Sequence, residues 1–211
     1  SLYRAPMASK PIIRLYEDNP DTRRLREVVE ALERGAVIIY PTDTYYALGC
    51  LLTCVKSIGR IKEIKGKDND HLSLICCDLS HISDYAKVDN AAFRFIRANT
   101  PAPVTFVLNA SGAVPNKFLD RKKSVGIRLP DNAIPRAIAE MAGVPLVSSS
   151  LVSTEDPSSD DPSLLWDEYS SRVDMMVDGG PARMSPSTVV DLTGGEPVVI
   201  RQGEYETDTM R

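Results

Sequence analysis

A chain of 211 residues, 43% of them hydrophobic, can build one substantial core, and a single domain is expected. No apolar run approaches the ~20 residues that span a bilayer, and no apolar leader opens the chain, so no membrane role is expected and the cytoplasm is the expected location. A formal net charge of −4 argues against a general nucleic-acid binder.

The charge is unevenly distributed. Residues 1–150 hold 21 Lys and Arg against 16 Asp and Glu, whereas residues 151–211 hold 4 against 13. Two stretches are locally basic: Lys56, Arg60, Lys62, Lys65 and Lys67, then Lys117, Arg121, Lys122, Lys123 and Arg128. If they meet in space they form a cationic cleft suited to polyphosphate or RNA; otherwise they are solvated faces of two elements. Residues 1–6 precede Met7 and read as an expression remnant, leaving 7–211 as the domain.

Asn19 as N-cap and Pro20 at the first helical position open a helix in which Leu25, Val28, Val29 and Leu32 share one face; Gly35 ends it. Ala36 to Tyr40 is a β-branched apolar strand stopped by Pro41, and Tyr46 to Leu52 is a second strand. Val55 to Ile64 carries Ile58, Ile61 and Ile64 on one helical stripe, with lysines in its last turn. Strands are expected over Leu72–Cys77, Val104–Leu108, Ser124–Arg128 and Pro145–Ser149, with helices after Asp89 and over 133–142. The Ser-, Asp- and Pro-rich stretch from Ser153 to Ser163 reads as a mobile loop. Late strands follow over Val173–Val177, Thr188–Asp191 and Val198–Arg201, the last two joined by a hairpin turn at Gly194-Gly195. Alternating helices and strands closed by a hairpin predict an α/β domain built on one mixed, open, twisted sheet.

The four cysteines, Cys50, Cys54, Cys76 and Cys77, lack zinc-site spacing and are expected to be reduced, buried apolar residues, with no protein metal site. Neither His71 nor His81 has a metal-ligand partner at useful spacing, and no Ser-His-Asp arrangement is present. Three strand or helix ends are chemically unusual. Pro41-Thr42-Asp43-Thr44 after the first strand is either a rigid hydroxyl-bearing ligand shelf or a turn that satisfies its own backbone. Lys65-Gly66-Lys67 can aim two ammonium groups at one polyphosphate, or can be an exposed helix end. Ser148 and Ser150 fall on one side of the strand that runs into Ser148-Ser149-Ser150 and can grip a ligand or cap a neighbour.

Taken in order, Pro41-Thr42-Asp43-Thr44…Gly49, Lys65-Gly66-Lys67, Pro103-Val104-Thr105, Gly126-Ile127-Arg128-Leu129-Pro130, Ser148-Ser149-Ser150, Asp178-Gly179-Gly180, Ser187-Thr188-Val189-Val190-Asp191 and Ile200-Arg201-Gln202-Gly203 resemble the YrdC/YciO family over about residues 12–203. The resemblance implies a YrdC-like open mixed sheet with a concave basic face. It also implies nucleotidyl transfer: condensation of threonine, bicarbonate and Mg²⁺-bound ATP to threonylcarbamoyl-adenylate, which serves tRNA modification, and binding of double-stranded RNA or tRNA. On the same resemblance Lys65, Lys67 and Arg128 are catalytic. Thr44, Arg128, Ser148 and Ser187 bind threonine, and Lys65, Lys67, His71, Thr105, Ser150 and Arg201 bind the nucleotide. Where the synthases carry Lys-x-Arg and Ser-x-Asn, this chain has Lys65-Gly66-Lys67 and Ser150-Leu151-Val152. A forked guanidinium is thereby replaced by a point charge and an amide by an apolar group. Each lost charged hydrogen bond costs about 1.5–3 kcal/mol. The departures resemble the YciO branch and imply weak or altered synthase activity, or a module that binds nucleotide or double-stranded RNA without catalysis.

Overall fold

The computed structural model describes residues 10–66, 72–119 and 121–208. The expectation for residues 1–6, and the roles given to Lys67 and His71, lie outside the described residues.

The strands are β1 (Ile12–Arg14), β2 (Ile38–Tyr40), β3 (Ala47–Leu51), β4 (Ser73–Ile75), β5 (Val104–Asn109), β6 (Ser124–Arg128), β7 (Leu146–Ser150), β8 (Met175–Asp178), β9 (Thr188–Asp191) and β10 (Val198–Arg201). They form one open sheet in the order β1-β8-β2-β3-β7-β4-β6-β5-β9-β10. Parallel pairs (β1 with β8, β2 with β8, β4 with β6, β5 with β9) mix with antiparallel ones, including the β9–β10 hairpin foreseen from Gly194-Gly195. The helices are α1 (Thr22–Glu33), α2 (Val55–Lys65), α3 (Leu79–Tyr85), α4 (Asn90–Ala98), α5 (Ala133–Ala142) and α6 (Pro162–Tyr169).

Strand alternation separates two cores. On one face, Leu25, Val28 and Leu32 of α1 and Ile134 and Ile138 of α5 pack on Ile38, Tyr40, Leu51, Ile75 and Leu146. On the other, Ile58 and Ile61 of α2, Ile82 of α3, Phe95 and Ile96 of α4 and Leu165 of α6 pack on Ile39, Leu48, Leu74, Phe106, Ile127 and Val147. Among the described residues this first face carries only α1 and α5, whose core residues reach no further than β4 and leave β6, β5, β9 and β10 uncovered. That exposed stretch of sheet holds the cleft.

Several local expectations need correction. Helix α1 is capped by Asp21, whose carboxylate accepts from the Arg24 N–H at 2.9 Å, so the helix starts after Asn19-Pro20. The Ser/Asp/Pro stretch after β7 is irregular as far as Asp161, but its last residues, Pro162 and Ser163, open α6. Ser153 Oγ accepts from Asp156 N, Asp156 Oδ1 from Ser158, and Asp161 caps α6 through Ser163 N. Short polar side chains here supply the hydrogen bonds that a regular element would otherwise provide. Only Cys50 and Cys76 are buried; Cys54 and Cys77 are half-buried, and all four are free thiols. The Cys77 Sγ lies 3.3 Å from His81 Nδ1, a contact the spacing did not suggest. Among the described residues no helix is long and apolar enough to cross a membrane.

Candidate functional site

The cleft floor follows from strand register. Gly49, Ser148, Ser73 and Gly126 stand opposite one another across β3, β7, β4 and β6, so four small residues form one row on one face. A Cβ at Gly126 would meet Thr105 Cγ2 at a tight 3.1 Å. The Tyr40 ring covers Gly49, and the small residues Ser148, Ser73 and Gly126 line a hollow of about 740 Å³, within the range of small-molecule sites.

Eight residues named from the sequence line this one cavity: Thr44, Lys65, Thr105, Arg128, Ser148, Ser150, Ser187 and Arg201. They come from the turn after β2, the end of α2, strands β5, β6 and β7, the residue before β9, and β10. Thr44, Lys65, Ser148 and Ser150 of the three polar turns thus share one hollow. The Thr42–Thr44 turn also satisfies itself, since Thr42 Oγ1 donates to Tyr45 O at 2.6 Å and accepts from Thr44 N at 3.0 Å. The same bonds fix Thr44 at the cleft wall. Tyr46 ties this turn to the Asp178-Gly179-Gly180 turn, accepting from Gly179 N and donating to Gly180 O.

Arg128 is buried, and its guanidinium is oriented from behind the cleft. One Nη is in ion-pair contact with Asp43 and the other donates to Thr44 Oγ1 at 3.2 Å. Asp43 is held in turn by Asp131 N at 2.7 Å. Lys65 Nζ donates to the Ser150 carbonyl at 2.6 Å, linking the end of α2 to the end of β7. Across the cleft Thr105 Oγ1 and Ser187 Oγ share a hydrogen bond of 2.8 Å, and Arg201 donates to Ser187 O at 2.8 and 3.0 Å and to its Oγ at 2.9 Å.

Among the described residues, the lining carries four cations (Lys62, Lys65, Arg128 and Arg201) and no carboxylate. Cations on low-dielectric walls concentrate anions. An apolar surface of Leu72, Val107, Phe118, Leu119, Val189 and Ile200 completes the site and suits a flat uncharged group. Sequence reasoning missed these six, Ser73 and Asp43 as a site residue. The apolar ones read individually as core, and the Asp43–Arg128 pair spans 85 positions. An acid in a polar turn and an arginine at a strand end before proline were the available signals. Val152, at the position where the synthases have an amide, is not part of the lining.

The family model for Sua5, YciO and YrdC proteins, described as telomere recombination, matches residues 30–203. The uncharacterized protein YciO of Escherichia coli is 39% identical over 192 residues, spanning 90% of this chain and 93% of its own. Its crystal structure superposes with a TM-score of 0.84. The threonylcarbamoyl-AMP synthase of Bos taurus is 32% identical over 195 residues, 86% of this chain and 68% of that one. Pyrococcus abyssi Sua5, crystallised with L-threonine, matches at 26% identity with a TM-score of 0.79, over 91% of this chain and 57% of its own. With the same open mixed sheet and six helices, this chain belongs to the Sua5/YciO/YrdC family.

Proposed function

We propose that the cleft binds L-threonine and Mg²⁺-ATP in the cytoplasm and catalyses weak threonylcarbamoyl-AMP synthesis. What supports the reading is the convergence of eight polar side chains on one cationic hollow, in a fold shared with a relative that holds L-threonine. Threonine and bicarbonate give N-carboxythreonine and water. Its new carboxylate attacks the α-phosphorus of ATP, forming threonylcarbamoyl-adenylate and releasing pyrophosphate. In this reading Arg128, oriented by Asp43, holds the amino-acid carboxylate, with Thr44, Ser148 and Ser187 around the amino acid. Lys65 and Arg201 offset phosphate charge, with Lys67 and His71 assigned to the same nucleotide, and Thr105 and Ser150 line its path. Such a site acts by positioning and charge neutralisation. Among the described residues the lining offers hydroxyls and cations but no carboxylate, so in this reading Mg²⁺ is brought in on the ATP phosphates as part of the substrate. In this reading the weakness comes from the Lys65-Gly66-Lys67 run, which offers point charges in place of a forked guanidinium.

The test is pyrophosphate release with threonine, bicarbonate and ATP omitted one at a time. Slow release that needs all three is expected; release indifferent to threonine, or none above background, overturns the reading. A second reading is supported by the described charged residues of the lining all being cations: the cleft holds double-stranded RNA or tRNA through phosphates and shape, without catalysis. It requires salt-sensitive binding weakened by Lys122→Glu, and salt-independent binding excludes it.

A further inference from the structure

Among the described residues, three buried side-chain polar atoms lack a hydrogen-bond partner: Tyr40 Oη, His81 Nε2 and Arg128 Nε. Two of them converge on one place. Tyr40 ends β2, and its ring lies across Gly49 of β3, so close that a Cβ on Gly49 would sit 2.4 Å from Tyr40 Cε1. Gly49 stands opposite Ser148 on the next strand, so a ring crossing Gly49 heads for Ser148. The Ser148 hydroxyl lies close enough to draw on the phenol, and the Arg128 charge acts on it too, yet no hydrogen bond of full geometry closes with either. Ser148 and Arg128 line the cleft, while Tyr40 lies wholly buried beneath it. Burial pushes the phenol pKa far up, so the hydroxyl remains a proton donor at physiological pH.

A buried hydroxyl without a partner is a stability cost that phenylalanine would not carry. A serine hydroxyl has one hydrogen to donate and lone pairs to accept with, so Ser148 can accept from below and donate into the cleft. A hydroxyl that accepts a hydrogen bond is polarised into a better donor. We propose that Tyr40 is a positioning residue: when an oxygen of the bound amino acid takes the Ser148 hydrogen, Tyr40 Oη donates to Ser148 Oγ and fixes its rotamer. The inference rests on the threonine reading and adds to it a buried donor whose hydrogen bond to Ser148 reaches full geometry only with the ligand seated.

The test combines thermal unfolding without ligand and calorimetric titration with L-threonine, on wild type, Tyr40→Phe, Ser148→Ala and the double variant. Tyr40→Phe is expected to unfold at the wild-type temperature or above it while binding threonine roughly five- to tenfold more weakly. In the Ser148→Ala background the same change is expected to cost nothing further, because the effect passes through Ser148. If Ser148→Ala does not fold, Ser148→Gly serves as the background. A Tyr40→Phe protein that melts below wild type, binds threonine equally well, or loses affinity by the same factor without Ser148 overturns the inference alone. A wild type that takes up no threonine overturns the substrate reading and this inference with it.

Discussion

The carboxylate of Asp43, in the turn after β2, and the guanidinium of Arg128, at the end of β6, form an ion pair with side-chain exposures of 0% and 5%. Removing one member of such a pair leaves the other charge buried, at a cost of about 3–5 kcal/mol, whereas replacing both with apolar residues costs far less. Asp43→Ala is therefore expected to lower stability by about that much, and Asp43→Leu with Arg128→Met to recover most of it. Urea unfolding checks both; a double variant no better than Asp43→Ala would contradict the account. Both proteins should lose ligand binding, because Arg128 faces the cleft.

Gly49 is constrained by space. A methyl group there would overlap the Tyr40 ring and approach Val147 O at 3.1 Å. Gly49→Ala is expected to lose about 1–3 kcal/mol by overpacking. Pairing it with Tyr40→Val removes the ring and should restore part of the loss, read from the shift in denaturation midpoint.

Arg201 anchors the segment before β9 through three hydrogen bonds to Ser187. Lysine keeps the charge but cannot reproduce the fork. Arg201→Lys should weaken ATP binding about threefold to tenfold and threonine binding by a smaller factor, through the loosened Ser187. Titration with each ligand separates the two; equal losses for both would place Arg201 outside a nucleotide-specific role.

His81 gives the protein an acid sensitivity. Burial holds its pKa below the ordinary imidazole value of 6.5, against the pull of Asp78 and Asp84. Its Nδ1 accepts from Cys77 N at 3.2 Å, which requires the neutral ring. A folded-state value below the unfolded one means the stability it contributes is complete above pH 6.5 and is lost as pH falls through the folded value. Denaturation at pH 7.5 and at pH 5 should show a decline that His81→Asn, which keeps an acceptor for Cys77 N, makes smaller.

Elements with local punctuation were readable in the sequence. Strand β6 stops before Pro130, and α5 runs from its Asn132 cap to Gly143, which takes the left-handed conformation at φ 73°. Elements held by distant partners were not. Strand β1 is three residues long and exists because it pairs with β8, where Ile12 meets Met176. Helices α3 and α6 are too short to show a period and depend on Asp78 and Asp161 caps. The site divides in the same way. Residues in distinctive motifs (Thr44, Lys65, Arg128, Ser148) were legible as candidates, but the row from Gly49 to Gly126 depends on register across four strands, which no local window encodes.

The strand order also governs when a binding-competent molecule can exist. Thr44 comes early in the chain and Arg201 late, and the wall bearing Ser187 and Arg201 is supplied by the final hairpin, β9–β10. A nascent polypeptide must therefore extend past Arg201 before any guest has a complete seat. Pairings this remote in sequence close slowly. Ligand added during refolding should accordingly capture the finished protein and leave the rate of its formation unchanged.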